Sequence, residues 1–248
     1  MRGGRGGRLI VVALAVAVTG GLLGACGGSG EEDGPVVAVT TTVAPGAGAG
    51  GDGGPAEVSA QQVDPTEALR KAGQKAQGGP VGAVQFEDAN GTNLVVLSQT
   101  SEEKPSKSAD GNSDYVHVYT DQFVTSGGTT RSLRKVQDGI DDCTVDNSVA
   151  FTSDKAEVSD LDGDGVGEVL FGYTVGCAGD ISPTELKILV LEGGDKYIMR
   201  GDSYTSTGLG KEALGRLPVG KPDPAWASWP KGTQALAERH WDQWAIRE

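Results

Sequence analysis

Residues 186–200, LKILVLEGGDKYIMR, give the clearest indication of the fold. An apolar run ends at Leu191, the Gly193-Gly194-Asp195 sequence that follows is typical of a tight turn, and residues 196–200 continue the chain. Two extended runs joined by such a turn predict an antiparallel hairpin. Residues 167–175, GEVLFGYTV, form another strongly β-favouring run, so this part of the chain is predicted to be a sheet.

Alternation of apolar and polar residues predicts more strands towards the N-terminus. Val84 and Phe86 alternate with polar neighbours, Asn90-Gly91 is a hairpin signal, and residues 93–98 are predicted to be the return strand. Residues 101–113 are predicted to be a polar loop. Shorter strand candidates follow at residues 115–119, 130–136, 149–151 and 156–158. The sequence has no obvious repeat, so it favours neither a propeller nor a solenoid.

Two short helices are predicted to flank the strands. Asp64, Pro65 and Glu67 form a helix-starting pattern, and the apolar face that follows ends at Gly78-Gly79-Pro80. Residues 233–247 form the second helix, with its apolar side at Ala237, Trp241 and Trp244. The predicted fold class is therefore α+β and strand-dominated, with an antiparallel sheet and short N-terminal and C-terminal helices, in a single β-rich globular domain at 64–248.

The first residues of the chain have the features of an export signal. Three arginines precede an apolar run at residues 9–18, and small residues lead to Cys26. The run is too short to cross a bilayer, which takes about 20 residues. The sequence Leu23-Gly24-Ala25-Cys26 resembles the lipobox of bacterial lipoproteins. The resemblance implies that residues 1–25 are a signal peptide and that Cys26 becomes lipidated; the alternative is an ordinary secretory signal.

Residues 26–60 are rich in Gly, Ala and Pro and have no sustained period, which predicts a flexible tether. Without residues 1–25 the chain has 18 basic and 34 acidic residues, a net charge of −16. Such a chain is a poor ligand for nucleic acid. Its predicted location is the extracytoplasmic face of the cell membrane, where the lipid provides the anchor because anionic lipids would repel the protein.

The two cysteines that remain are predicted to pair. Export places Cys143 and Cys177 in an oxidising compartment, where an even number of cysteines favours a disulfide. The alternative is a metal-binding or catalytic thiol. Neither cysteine lies in a Cys-x-x-Cys motif, and the only histidines are His117 and His240, so the disulfide is favoured.

Residues 159–168, SDLDGDGVGE, place four carboxylates within nine residues, around a glycine at a turn position. Because calcium prefers six to eight oxygen ligands, the spacing predicts a structural calcium loop. The predicted ligands are Asp160, Asp162, Asp164, the carbonyl of Val166, and Glu168. Phe171 stands where an EF-hand needs its bidentate Glu. The loop instead resembles the shorter calcium loops of FG-GAP repeats; the alternative is an Asp/Gly-rich turn without an ion.

A wider pattern at residues 138–202 includes this loop, Phe171-Gly172-Tyr173, Cys177 and Asp180-Ile181-Ser182-Pro183. It resembles a group of small secreted bacterial proteins, some loosely linked to surface polysaccharide biosynthesis. The resemblance implies a β-rich domain with paired cysteines. It implies no reaction, so no catalytic residue is assigned.

The expected function is that of a non-enzymatic envelope protein that binds a partner protein or a surface glycan. The alternative is an envelope hydrolase or polysaccharide-processing factor using two carboxyls about 5–9.5 Å apart. The sequence has no Gly-x-Ser-x-Gly, His-Glu-x-x-His or phosphate-loop motif. Four tryptophans crowd the C-terminus, and core packing is favoured for them over stacking on sugar rings.

Overall fold

The computed structural model describes residues 58–206 and 218–247. The predicted signal peptide at 1–25, the predicted lipidation site Cys26 and the predicted tether up to residue 57 lie outside the described residues. No helix in the described ranges has the length and apolar character needed to cross a membrane.

The N-terminal part of the described chain forms a five-stranded antiparallel sheet, called sheet one. Its strands pair in the order in which they occur along the chain. They are β1 Ala60–Gln62, β2 Gly79–Asp88, β3 Gly91–Pro105, β4 Asn112–Ser126 and β5 Thr129–Cys143. The β2–β3 connection is the predicted Asn90-Gly91 turn, and Gly91 has a φ of 123°. Strand β1 begins ahead of Asp64, where the sequence predicts the start of the folded domain.

The remaining strands form sheet two, in the order β11-β10-β9-β8-β6. Strand β7 also pairs with β8, and β12 runs parallel to β10. The strands are β6 Ala150–Phe151, β7 Glu157–Ser159, β8 Glu168–Val175, β9 Thr184–Glu192, β10 Asp195–Thr205, β11 Lys221–Asp223 and β12 Ile246–Arg247. The predicted hairpin is confirmed, because β9 and β10 pair antiparallel across Gly193-Gly194.

The main core lies between the two sheets. It combines Phe86 and Val95 of sheet one with Val169, Phe171 and Leu189 of sheet two, and each of these side chains is at most 2% exposed. Each fully buried side chain of this kind contributes about 1.5–3 kcal/mol of transfer free energy. The sheets therefore form a sandwich, and the strand-dominated α+β class predicted from the sequence is confirmed.

Helix α1, Pro65–Ala72, covers the outer face of sheet one, where Leu69 packs in a cluster with Phe123. Its start is as predicted: Asp64 accepts a hydrogen bond of 2.7 Å from the Glu67 backbone N–H. The predicted end at Gly78 is wrong. Gly73 adopts a left-handed φ of 64° and ends the helix there, as a C-terminal glycine commonly does.

Helix α2, Thr233–Trp244, covers the outer face of sheet two. Ala237 and Trp241 pack in a cluster with Ile188 and Met199. The Trp241 indole N–H donates to the Pro218 carbonyl at 3.0 Å. Trp229 is also buried, whereas Trp226 and Trp244 are half-buried. Core packing thus accounts for two of the four tryptophans fully and for the other two in part.

The predicted polar loop at residues 101–113 is wrong over most of its length. Strands β3 and β4 stay paired from Thr92↔Thr125 to Pro105↔Asn112. Residues 101–105 are exposed, so this end of β3 lacks the apolar alternation that marks a half-buried strand. Local contacts hold it, including Lys104 Nζ at 4.9 Å from the centre of the Tyr115 ring.

Cys143 and Cys177 lie at disulfide distance, with their Cα atoms 5.8 Å apart. Cys143 ends β5 of sheet one, and Cys177 follows β8 of sheet two. The predicted cysteine pair therefore connects the two sheets of the sandwich.

Candidate metal site in the acidic loop

The acidic loop, residues 160–167, connects β7 to β8. The carboxylates at its two ends are buried: Asp160, the first residue of the loop, is 2% exposed, and Glu168, which follows its last residue, is 1% exposed. Asp162 and Asp164 are exposed. The loop thus has a buried carboxylate at each end and two solvent-facing carboxylates between them.

Backbone N–H groups fix the two buried carboxylates. The Leu161 N–H donates to both oxygens of Glu168, at 3.2 and 2.9 Å. Gly163 and Gly165 donate to the two oxygens of Asp160 at 2.8 and 3.1 Å. Both glycines have positive φ, 79° and 85°, which other residues rarely adopt. The glycines therefore allow the chain to fold its N–H groups around Asp160.

The exposed carboxylates make local turns of the same kind. Asp162 accepts from the Asp164 N–H at 3.2 Å, and Asp164 accepts from the Val166 N–H at 2.7 Å. These bonds orient each side chain relative to its own backbone.

The carboxylates come together in two overlapping groups. One oxygen each from Asp160, Asp162 and Glu168 lie within 4.8 Å of one another, and the same holds for Asp162, Asp164 and Glu192. The predicted carboxylate residues therefore gather at one place, and the first group could hold a metal ion. The carbonyl of Val166 stays a predicted ligand.

Sequence reasoning missed Glu192. It ends β9 immediately before the Gly193-Gly194 turn, and the antiparallel pairing of β8 with β9 places it opposite Glu168. The signal was present in the sequence as an acid at the end of an apolar strand. Using that signal required knowing that β8 and β9 are neighbours and in which register they pair.

The electrostatic environment disfavours the ionised forms of Glu168 and Glu192. Burial raises the pKa of Glu168, and the negative charge of Asp162 raises it further. Burial, followed by the charges of Asp162, Asp164 and Glu168, raises the pKa of Glu192 to about 7. Within the described ranges, no lysine or arginine forms a salt bridge with these groups. Among the described residues, the cluster therefore has no basic side chain in a salt bridge that balances its negative charge.

Contacts on two sides hold the loop against the sandwich. Ala89, in the β2–β3 turn, donates to the Gly165 carbonyl at 2.7 Å, and Gly167 donates to Asp88 Oδ2 at 3.2 Å. On the other side, Leu161 packs against the cluster beneath α2. The loop therefore contacts a turn of sheet one and the helical layer of sheet two.

Other candidates for chemistry lie apart from this loop. His117 lies in β4 with Nε2 at 3.4 Å from Asp141, and His240 Nε2 lies 2.8 Å from Glu157 Oε2. A surface hollow of about 370 Å³ is lined by His240 and Glu157, and Glu157 is the only carboxylate in its lining. A second hollow, of about 490 Å³, is lined by no carboxylate. Neither hollow contains the pair of acids that a glycosidase uses.

Similarity to known proteins gives no indication of the role of this site. No protein-family model, curated protein or solved structure matches the chain. The resemblances of residues 23–26, 138–202 and 160–168 to known families therefore stay predictions.

Proposed function

We propose that the chain is an extracytoplasmic lipoprotein, anchored to the cell membrane through Cys26, with a structural calcium ion in the acidic loop. The observation that carries the calcium proposal is the grouping of buried Asp160 and Glu168 with Asp162, without a basic partner among the described residues. Ionised carboxylates at these separations repel one another unless a cation lies between them.

Calcium is the cation best suited to this cluster. All the candidate ligands are oxygen atoms; those of Asp160, Asp162, Asp164 and Val166 come from the glycine-rich loop, and those of Glu168 and Glu192 come from β8 and β9. Calcium accepts irregular sets of six to eight oxygens, whereas magnesium requires a near-ideal octahedron. We assign the site to the weak affinity class of extracellular modules, with a Kd of roughly 10⁻⁴–10⁻³ M. Saturation to about ten times Kd stabilises the folded protein by about 1.4 kcal/mol.

Thermal unfolding of the full chain tests this proposal. We expect the Tm to rise with calcium up to about 10 mM, and to fall in EGTA. Magnesium at the same concentration has a smaller effect. Asp162→Asn, which removes a carboxylate shared by both groups, abolishes most of the calcium response, whereas Asp110→Asn, an exposed control outside the loop, keeps it. A Tm that is identical in EGTA and in calcium contradicts the proposal.

The N-terminal sequence supports the lipid anchor, because a basic start, a short apolar run and Leu23-Gly24-Ala25-Cys26 occur in the order that export and lipidation require. Two acyl chains give stable anchoring where one does not. Cell fractionation with radiolabelled palmitate tests this. Cys26→Ser is expected to lose the label and leave the membrane fraction, whereas the Cys143→Ser/Cys177→Ser double variant keeps the label. Labelling that survives in Cys26→Ser excludes the anchor.

We further propose a non-enzymatic role, as an envelope binding or scaffold protein whose partner is a surface glycan or another envelope protein. Each of the two hollows is lined by at most one carboxylate, so neither contains the paired acids of glycosidase chemistry. The net negative charge argues against nucleic acid as a partner.

A further inference from the structure

We infer that the hollow between β6 and the C-terminal end of α2, called the α2–β6 pocket, is a binding site for a neutral glycan. Its lining includes Ser148, Thr152 and Thr174 on the sheet side and Gln243 and Trp244 on the helix side. This assignment deepens the proposed function, because it gives the proposed surface glycan a specific site on the sandwich.

The size and position of the pocket suit a small ligand. Its volume of about 490 Å³ falls within the roughly 300–1,000 Å³ that is usual for ligand sites. It lies on the outer face of sheet two, where Trp244 packs over Gly172 of β8. The acidic loop precedes the first residue of β8, and Gly172 lies inside the strand, so the pocket is separate from the candidate metal site.

The lining of the pocket is uncharged. None of its lining residues is Asp, Glu, Lys, Arg or His, although charged residues make up 22% of the chain. A charged ligand would lose its hydration there without gaining a counter-charge. The pocket is therefore suited to a neutral ligand.

Three polar groups of the lining are free to bind a ligand. Within the described residues, no hydrogen bond involves the Trp244 indole N–H, the Gln243 amide or the Ser148 hydroxyl. By contrast, Thr152 donates to the Gly172 carbonyl at 3.0 Å and Thr174 to the Ser148 carbonyl at 2.7 Å. Hydrogen bonds within the protein thus hold Thr152 and Thr174 in place. A ligand with several hydroxyl groups can form hydrogen bonds with the three free groups.

Trp244 provides the apolar surface. A Cβ atom on Gly172 would lie 2.7 Å from Cζ3 of Trp244, so the glycine allows the indole to rest directly on β8. His240 stacks on Trp244 with ring centroids 4.4 Å apart. Trp244 borders both hollows, whereas His240 borders only the smaller one. Trp244 therefore contributes aromatic surface to the lining of the α2–β6 pocket, and the C–H face of a sugar ring can pack on such a surface.

A peptide fits this site less well. An extended peptide would add to the free edge of β6 through main-chain hydrogen bonds. Strand β6 has only two residues. Both backbone groups of the preceding Val149 are already used, the N–H by Asn147 Oδ1 at 3.0 Å and the carbonyl by Gln99 Nε2 at 3.2 Å. Few main-chain groups remain at this edge for a peptide.

The test is a titration of the full chain labelled with ¹⁵N-tryptophan and purified in dodecylphosphocholine, because a maltoside detergent could occupy the pocket. Maltotriose, cellotriose and mannotriose are added separately while the indole N–H signals of the four tryptophans are recorded. Trp244→Phe assigns the signal of Trp244. We expect at least one trisaccharide to shift that signal with a Kd of about 1 mM, typical of a small, weakly held ligand.

Matched variants locate the binding. Trp244→Phe and Ser148→Ala are each expected to weaken binding about tenfold or more, since each removes a group that contacts the ligand. Trp226→Phe changes another half-buried tryptophan that does not line the pocket, and it keeps the affinity. Far-ultraviolet circular dichroism of each variant verifies that the fold is retained.

The inference is overturned if no trisaccharide shifts the Trp244 signal at about 20 mM, a concentration that would reveal even weak binding. It is also overturned if binding persists in Trp244→Phe, or if trigalacturonate or a Val/Thr-rich peptide binds more tightly than every neutral trisaccharide. The titrations are run in calcium and in EGTA. Failure of glycan binding with a normal calcium response and normal lipidation refutes this inference alone and leaves the anchor and the metal site standing.

Discussion

Glu168 lies directly opposite Glu192 in the antiparallel pairing of β8 with β9. Like charges at directly opposed positions destabilise a sheet. In addition, a carboxylate oxygen of Asp162 lies within 4.8 Å of a carboxylate oxygen of each of these glutamates. The pairing is therefore unfavourable without a cation, and the calcium ion that we propose would relieve the repulsion between the two glutamates. Substitution of Glu192 therefore tests both the repulsion and the proposed metal binding.

Glu192→Gln is predicted to have opposite effects with and without calcium. In EGTA the change removes a repulsive charge and raises the free energy of unfolding by about 0.5–1 kcal/mol. In calcium it removes a ligand charge and weakens binding roughly tenfold. Thermal unfolding in both conditions measures the two effects.

The matched control for this change is Asp195→Asn, which removes a negative charge from the strand position paired with Glu192. Asp195 is exposed and is in neither carboxylate group. Its substitution should leave the calcium affinity nearly unchanged. Equal responses of the two variants to calcium indicate a general charge effect and argue against Glu192 as a ligand.

Asp138 of β5 connects the two sheets through polar contacts with sheet two. It accepts hydrogen bonds from Lys187 Nζ at 2.6 Å and from the Tyr173 hydroxyl at 3.0 Å. Burial alone would raise the pKa of Asp138, but the hydrogen bond and charge of Lys187, helped by the Gly139 N–H and Tyr173, outweigh it and lower the pKa. The ionised form of Asp138 therefore stabilises the folded state.

Asp138→Asn is predicted to lower the free energy of unfolding by about 1–3 kcal/mol, because Lys187 loses a half-buried partner. In the unmodified protein the contribution of Asp138 is complete above the unfolded-state pKa of about 3.9 and is lost as the pH falls through the lower folded-state pKa. Urea unfolding from neutral to acidic pH measures this loss. The difference between the two proteins should shrink in acid; a constant difference refutes the assigned charge interaction.

Gly172→Ala is predicted to destabilise the protein by about 1–3 kcal/mol through overpacking. The new methyl group would lie 2.7 Å from Trp244 Cζ3 and 3.0 Å from Thr152 Oγ1, and both neighbours are packed. Gly194→Ala is the control, since a Cβ there has no neighbour within 4 Å and the change should stay within about 0.5 kcal/mol. Urea unfolding followed by tryptophan fluorescence compares the variants; equal stabilities contradict the close packing of Trp244.

Local signals explain which parts of the fold could be predicted from the sequence. The β9–β10 hairpin has apolar strands and a Gly-Gly-Asp turn within one segment, and the start of α1 has its Asp64 cap and Pro65 adjacent. The exposed end of β3, residues 101–105, has no such signal, because its structure depends on pairing with β4 and not on burial of its own side chains. The stacking of the two sheets depends on residues far apart in sequence, such as Phe86 and Phe171, which pack in one core cluster.

The residues of the candidate sites also divide into those that one short segment supplies and those that only the fold brings together. Asp160, Asp162, Asp164 and Glu168 could be predicted together because they lie within nine consecutive residues. Glu192 joins them only through the register of β8 with β9. The α2–β6 pocket combines residues 147–152, Thr174 of β8 and the end of α2. No periodicity in the sequence brings these segments together.

The cysteine pair and the acidic loop act at opposite ends of β8. The loop leads into Glu168, the first residue of the strand, and Cys177 follows its last residue, Val175. The strand has eight residues, so its two end residues lie about 23 Å apart along the extended chain. Stabilising effects at this separation, without shared partners, are expected to add independently.

Replacing both cysteines, as Cys143→Ser/Cys177→Ser, should therefore lower the free energy of unfolding by roughly 4 kcal/mol through the greater entropy of the unfolded chain. The increment that calcium gives should stay the same within about 0.5 kcal/mol. Urea unfolding of both proteins, each in EGTA and in calcium, completes the cycle. A calcium increment that disappears with the disulfide would instead mean that linking β5 to the end of β8 fixes the β8–β9 register, on which the Glu168–Glu192 pair depends.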